Sequence, residues 1–295
     1  MSSKQNVMPI SSILCAALVW GLIWYPYRVL QDAGVTGVLA TLISYVLAML
    51  CGTFMLPQVW RELPKAGWWI VLLVLSVGWA NFGYVLAVLH GEVMRVLLLF
   101  YLAPLWTILF SYWLLGERLN RFGYLILLLS LSGAVIMLWE PQRGLPLPHN
   151  LAEWAGLTAG MGFALSNVVS RRCTHLSEET KVFGVWLGTI LLSAPFVLWQ
   201  GGLAERLMVI DMQSWLLLAV LGVVLCASSF AVQYGIARVS ANRTIILFLS
   251  ELVFAAIASY FLADEAMRLR DWLGALLIVS ASLLSGRLHE TGKSA

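Results

Sequence analysis

Ser111-Tyr112-Trp113-Leu114-Leu115-Gly116-Glu117 returns as Ser259-Tyr260-Phe261-Leu262-Ala263-Asp264-Glu265, 148 residues further along a chain of 295. The same offset carries Arg95 onto Arg243, Leu99 onto Leu247 and Phe100 onto Phe248. With Ser111, Tyr112, Leu114 and Glu117, an ungapped window of 23 residues holds seven identities. Chance in so apolar a composition would give roughly two or three. The offset is almost half the chain, so the sequence reads as two homologous halves.

Composition says what kind of object is duplicated. Charged residues are 11% of the chain and hydrophobic residues 61%, against roughly 25% charged in a soluble domain. A soluble fold could not cover that much apolar surface with polar groups. A bilayer removes the requirement, so the reading is an all-α polytopic membrane protein with lipid as its surroundings. The net charge of +3 is too small to point to nucleic acid. Cys15, Cys51, Cys173 and Cys226 all fall in apolar runs without CxxC spacing, which indicates neither a zinc site nor a disulfide framework. No cofactor motif is present. Lys4 ahead of an apolar run could open a signal peptide, but further apolar spans follow, so the run is read as a first transmembrane helix.

About 20 apolar residues cross the hydrocarbon core. Ten such spans are expected, at approximately 10–28, 35–56, 67–89, 93–115, 121–139, 152–171, 180–199, 213–237, 241–263 and 270–287. Short connections such as Arg61-Glu62-Leu63-Pro64-Lys65 separate them. The first unit is 1–140, the linker 141–151 carries Pro141, Pro146 and Pro148, and the second unit is 152–295. Five spans per unit is odd, so the second copy enters the membrane the opposite way. The expectation is two inverted five-helix repeats, an arrangement that places a site at the midplane. With the N-terminus inside, twelve Lys and Arg fall on cytoplasmic segments and six outside. That bias predicts both termini in the cytoplasm, with Arg171, Arg172 and Lys181 as its strongest local contribution.

These residues resemble the drug/metabolite transporter superfamily, in its ten-helix form with two EamA-type repeats. Pro104 precedes Ser111 by seven residues, and Glu117 closes the fourth span, like the family's proline-to-glutamate pattern. Trp20-Gly21 in the first span and Glu251 to Glu265, followed by Trp272 and Gly274, add to it. Phe100-Tyr101-Leu102-Ala103-Pro104 and the aromatic first span look most like the aromatic amino-acid exporters of the YddG type. One departure is that Glu251 is followed by Leu252, where the family often has proline. The resemblance implies a multi-pass inner-membrane exporter that needs no cofactor.

Glu251 is the sharpest residue. It lies about nine residues into its span, roughly 14 Å deep at 1.5 Å per residue. A carboxylate there is costly and is usually functional or paired. It either meets a substrate ammonium or a proton, or stays protonated and braces the helix. Trp20, Trp24 and Tyr27 form one stripe of the first span. Asn81 and Tyr84 share a face of the third, and Phe163, Asn167 and Ser170 a face of the sixth. Ser229 and Gln233 share one of the eighth, with Tyr234 beside them, and Tyr101 stands in the fourth. Buried amides facing lipid would be unsatisfied, so these faces point inward. They either line a cavity or make interhelical hydrogen bonds. The expected substrate site is therefore Trp20, Trp24, Asn81, Tyr84, Tyr101, Asn167, Ser229, Gln233, Tyr234 and Glu251. Arg95 and Arg243 either snorkel to headgroups or guard opposite mouths. Glu117 and Glu265 are expected to cap the helices that follow them. Small residues in the fifth and tenth spans (Ser130, Ser132, Gly133; Ser280, Ser282, Ser285, Gly286) mark those two as packing elements.

The function expected is secondary transport of small amphipathic solutes, amino acids first, by a chain able to act as a monomer. Other small metabolites or lipophilic cations are the alternative. An enzyme is disfavoured, because no HExxH, GxSxG or P-loop pattern occurs.

Overall fold

The computed structural model describes residues 7–91, 93–139, 147–262 and 268–285. Residues 141–146 of the expected linker, the second copy's Ala263, Asp264 and Glu265, and Gly286 lie outside the described residues. All described secondary structure is helical: α1 (Val7–Leu22), α2 (Trp24–Asp32), α3 (Gly37–Cys51), α4 (Leu56–His90), α5 (Val93–Phe100), α6 (Ala103–Leu115), α7 (Arg121–Leu138), α8 (Leu151–Arg172), α9 (Glu178–Trp199), α10 (Leu203–Met208), α11 (Met212–Arg238), α12 (Ala241–Phe248), α13 (Ser250–Leu262) and α14 (Leu269–Leu284). Seven helical stretches in the described residues are long and apolar enough to cross a membrane.

Three expected spans are broken, and two breaks have a proline behind them. A proline removes a backbone donor, and its ring collides with the carbonyl four residues earlier. Pro26 therefore ends α1 at Leu22, and Pro104 ends α5 at Phe100. The third break, between α12 and α13 at Leu249, has no proline. Leu249 is Tyr101 shifted by 148 residues, so the interruption recurs at the equivalent place. It is closed by a hydrogen bond from the Leu252 N–H to the Leu249 carbonyl (3.2 Å).

The connection expected around Arg61–Lys65 is helical instead. It belongs to α4, which starts at Leu56 behind Pro57 and is interrupted at Gly67 (φ 59°, ψ −162°). A positive φ is cheap only for glycine, so the chain changes direction there before the membrane-spanning part begins. Phe54, Trp60, Leu63 and Trp68 are exposed along this stretch, an apolar edge suited to the headgroup boundary.

Helix α8 packs on α4, α5 and α6; α11 packs on α1 and α3; α9 packs on α3 and α4; α1 packs on α13; and α7 packs on α14. The α4–α9 crossing is as close as backbones allow. A Cβ on Gly188 would stand 2.0 Å from the Val74 carbonyl oxygen, and one on Gly78 2.4 Å from the Gly188 oxygen. Without a hydrophobic drive between helices in lipid, such small-residue contacts supply the packing energy. In α7 and α14, Gly133 and Gly274 meet in the same manner.

Candidate functional site

Glu251 falls at the middle of the apolar stretch Ala241–Leu262 and in the first turn of α13. The break at Leu249 matters here, because a helix N-terminus carries partial positive charge and eases the cost of a carboxylate. Tyr101, at the equivalent break between α5 and α6, packs in one core cluster with Leu249, Leu252 and Val253, the neighbours of Glu251 in the chain. Tyr84 of α4 reaches the same region through Phe100, which packs against that cluster. Phe100 fills the space between the two tyrosines, 5.1 Å from Tyr84 and 5.6 Å from Tyr101 between ring centroids. Phe163 of α8 lies against Phe100 at 5.7 Å and meets Phe248 of α12 edge-on at 5.4 Å.

These side chains come from five helices and meet inside the bundle, yet Glu251, Tyr84, Phe100 and Phe163 are only half-buried. Helix α1 packs closely behind Glu251, where a Cβ on Gly21 would stand 2.9 Å from the Glu251 carbonyl oxygen and 2.8 Å from Phe254 Cβ. That contact explains the glycine of the Trp20-Gly21 pair. This cluster of side chains brings one carboxylate, two hydroxyls and aromatic rings into one region of the bundle. It can hold a cation or an amphipathic solute and move a proton. Among the described residues no group of His, Cys, Asp or Glu is arranged to hold a metal ion.

Of the ten expected site residues, Tyr84, Tyr101 and Glu251 come together here. Three others are engaged between helices. The Asn81 amide donates to Thr189 Oγ1 (3.0 Å), Ser229 Oγ accepts from the Trp186 indole (3.1 Å), and Gln233 Oε1 accepts from Ser170. These side chains do point inward, and they fasten α4 to α9, α11 to α9 and α11 to α8. Tyr234 is near the end of α11, with the Arg238 guanidinium 3.7 Å above its ring. Trp20 packs between two core clusters beside Gly21. Among the described residues the Trp24 indole nitrogen and the Asn167 amide nitrogen are buried with no hydrogen-bond partner. Asn167 lies one turn beyond Phe163 on α8.

Ion pairs join the helix ends. At one end Arg95 meets Glu153 (2.9 Å) and donates to the Leu147 carbonyl (2.9 Å), while Glu153 also accepts from the His149 N–H (2.9 Å). At the other, Arg171 meets Glu117 (2.7 Å), which also accepts from the Ala241 N–H (3.1 Å). Arg171 donates in turn to the Val239 carbonyl. Glu117 thus caps α12, 124 residues away, and not the helix that follows it. Asn120 caps that helix, α7, by accepting from the Gly123 N–H at 2.7 Å. Glu153 was invisible as a functional residue in the sequence. Its only signal is the Asn150-x-x-Glu153 spacing of a capping box.

The family model described as the EamA-like transporter family matches residues 7–139 and again 150–287. The chain belongs to the EamA-like transporter family. Among similar proteins, an uncharacterized transporter of Archaeoglobus fulgidus is 30% identical over 207 residues, covering 69% of this chain and 71% of its own. The uncharacterized transporter YojE of Bacillus subtilis is 24% identical over 193 residues, 60% of this chain and 61% of its own. Protein RarD of Salmonella typhi is 22% identical over 145 residues, 47% of this chain and 49% of its own. One solved crystal structure covers 97% of this chain and 98% of its own at a TM-score of 0.72 and 19% identity, which shows a shared fold. The chain is a multi-pass membrane protein of a transporter family.

Proposed function

We propose that this EamA-like protein is a secondary transporter that exports amino acids or related small amphipathic metabolites across the inner membrane by alternating access. Its ten spans form two inverted five-helix repeats, 1–140 and 152–295, joined by the linker 141–151, with both termini in the cytoplasm. Support for the duplication comes from the family model matching twice and from the packing. Contacts pair up under exchange of the halves: α4 on α8 answers α11 on α1, α4 on α9 answers α11 on α3, and α6 on α8 answers α13 on α1. The cytoplasmic placement rests on the Lys and Arg bias.

The observation that carries the reading is that Tyr84, Phe100 and Tyr101 from the first repeat pack together and, in one core cluster, against the residues flanking Glu251 in the second, at mid-span. A site shared by two inverted units is what alternating access requires. Aromatic faces and hydroxyls suit a solute with an apolar body and a polar head. The YddG-type resemblance adds aromatic amino acids and the outward direction. The test is counterflow in proteoliposomes with labelled amino acids, sugars and a lipophilic cation. Exchange of amphipathic solutes but not sugars is expected; exchange of sugars alone, or of nothing above empty liposomes, overturns it.

A further inference from the structure

We propose that residues 56–66 of α4 lie along the membrane surface and bind anionic phospholipid of the surrounding bilayer. Arg61 and Lys65 hold the lipid phosphate, and Trp60 and Leu63 lie against its acyl chains. This binding needs the chain's membrane placement and is independent of the solute transported. At about 100° per residue, the segment has an inward face and two exposed flanks. Val59, Glu62 and Ala66 share the inward face, where Val59 and Ala66 are buried. Glu62 is the only carboxylate between Thr53 and Trp69, and it is directed at the start of α9. It accepts from the Ser177 N–H (2.9 Å), the Ser177 hydroxyl (2.9 Å) and the Thr180 hydroxyl (2.7 Å). Trp60 and Leu63 occupy one flank, 67% and 44% exposed. Arg61 and Lys65, one turn apart, are exposed on the other.

Only one partner satisfies both flanks. An acidic soluble protein would meet the cations and leave Trp60 and Leu63 in water. A neutral lipid would cover the apolar flank and leave two cations without counter-charge. A bilayer with anionic headgroups meets both, because its hydrocarbon begins a short way below its phosphates. Basic residues at such a surface are drawn to its negative potential. The positive φ of Gly67 (59°) then lets the chain leave the surface and enter the bilayer. Just past that turn Trp68 and Trp69 stack at 4.0 Å between centroids, and the Arg172 guanidinium stands 5.8 Å over the Trp69 ring. Arg172 is exposed and brings a third cation to the edge of the segment. Since Glu62 ties the segment to the first turn of α9, a lipid bound here also holds α4 to α9.

The probes are phosphatidylglycerol and phosphatidylcholine with the same acyl chains, added to the purified full-length protein in neutral detergent. Bound lipid is counted by native mass spectrometry, and melting is followed alongside. Phosphatidylglycerol should bind in preference to phosphatidylcholine and raise the melting temperature. Two basic residues at a charged surface contribute on the order of ten- to thirty-fold in affinity. Arg61→Gln with Lys65→Gln should therefore lower phosphatidylglycerol binding towards that of phosphatidylcholine. Arg61→Lys with Lys65→Arg keeps both charges and should retain it. Arg28→Gln with Arg121→Gln removes the same charge from exposed positions elsewhere and should leave it unchanged. Glycerol phosphate, a headgroup without acyl chains, should not displace the lipid. Equal binding of the two lipids by the wild type, an unchanged preference in the Arg61→Gln, Lys65→Gln variant, or an equal loss in the Arg28→Gln, Arg121→Gln variant overturns the proposal. Displacement by glycerol phosphate at matched concentration overturns it too, in favour of a site for a soluble phosphate.

Discussion

Glu153→Ala should destabilise the protein by about 3 kcal/mol. Glu153 is 4% exposed at its side chain and Arg95 is 10% exposed. Removing one partner of a buried pair costs about 3–5 kcal/mol, because the other charge stays behind uncompensated. The lower end applies here, since Arg95 keeps the Leu147 carbonyl (2.9 Å). The substitution also strips an acceptor from the His149 N–H and the Asn150 side chain. At roughly 2 °C per kcal/mol for a chain of this size, melting of the detergent-solubilised protein should fall by about 6 °C. A double-mutant cycle with Arg95→Ala isolates the pair: the double variant should be little worse than Glu153→Ala alone, as expected for residues in direct contact. Strict additivity of the two losses, or a fall under about 1 °C for Glu153→Ala, would refute the reasoning that the pair clamps α5 to α8.

Other substitutions test other contacts. Gly188→Ala puts a methyl 2.0 Å from the Val74 carbonyl oxygen, so α4 and α9 must separate; folded yield should drop sharply, whereas Gly201→Ala, with open space around it, should show only the smaller strain of its positive φ. Asp211 caps α11 by accepting from the Ser214 N–H (2.7 Å), and the Ser214 hydroxyl first, with that backbone bond after it, holds its carboxyl below the usual carboxylate range. A depressed folded pKa contributes stability above the unfolded value and loses it as pH falls through the folded one. Melting of the wild type should therefore weaken in acid by more than that of Asp211→Asn, which keeps the cap without titrating; identical acid profiles would remove this role. Single cysteines at exposed positions 61, 149 and 175, in a background lacking the native four, should label with 61 and 175 on one side of the membrane and 149 on the other. Labelling of 61 and 149 from one side would break the inverted arrangement.

Particular residues explain what was legible in the sequence. Helix positions were readable because a 20-residue apolar run has few alternatives in lipid. Glu251 was readable because a carboxylate in such a run stands alone. The break at Phe100 has Pro104 as its mark, but the break at Leu249 has none, and only the 148-residue offset hints at it. The amphipathic start of α4 was hidden by Pro64 and the charges beside it, which read equally well as a loop. The amides of Asn81 and Gln233 were rightly turned inward, yet sequence could not choose between a ligand and Thr189 or Ser170 as their partner. The ion pairs Arg95–Glu153 and Arg171–Glu117 span 58 and 54 residues, contacts that exist only once α8 is packed.

Binding of the best-exchanged solute to the wild type, Tyr84→Phe, Tyr101→Phe and Glu251→Gln tests the shared site most directly. Loss of a hydrogen bond to a charged group costs about 1.5–3 kcal/mol, roughly ten- to a hundred-fold in affinity. The account predicts that Glu251→Gln and Tyr101→Phe both weaken binding within that range, with Tyr84→Phe weakening it less and all three remaining folded. Affinities equal to the wild type in all three variants, with exchange intact, would contradict it.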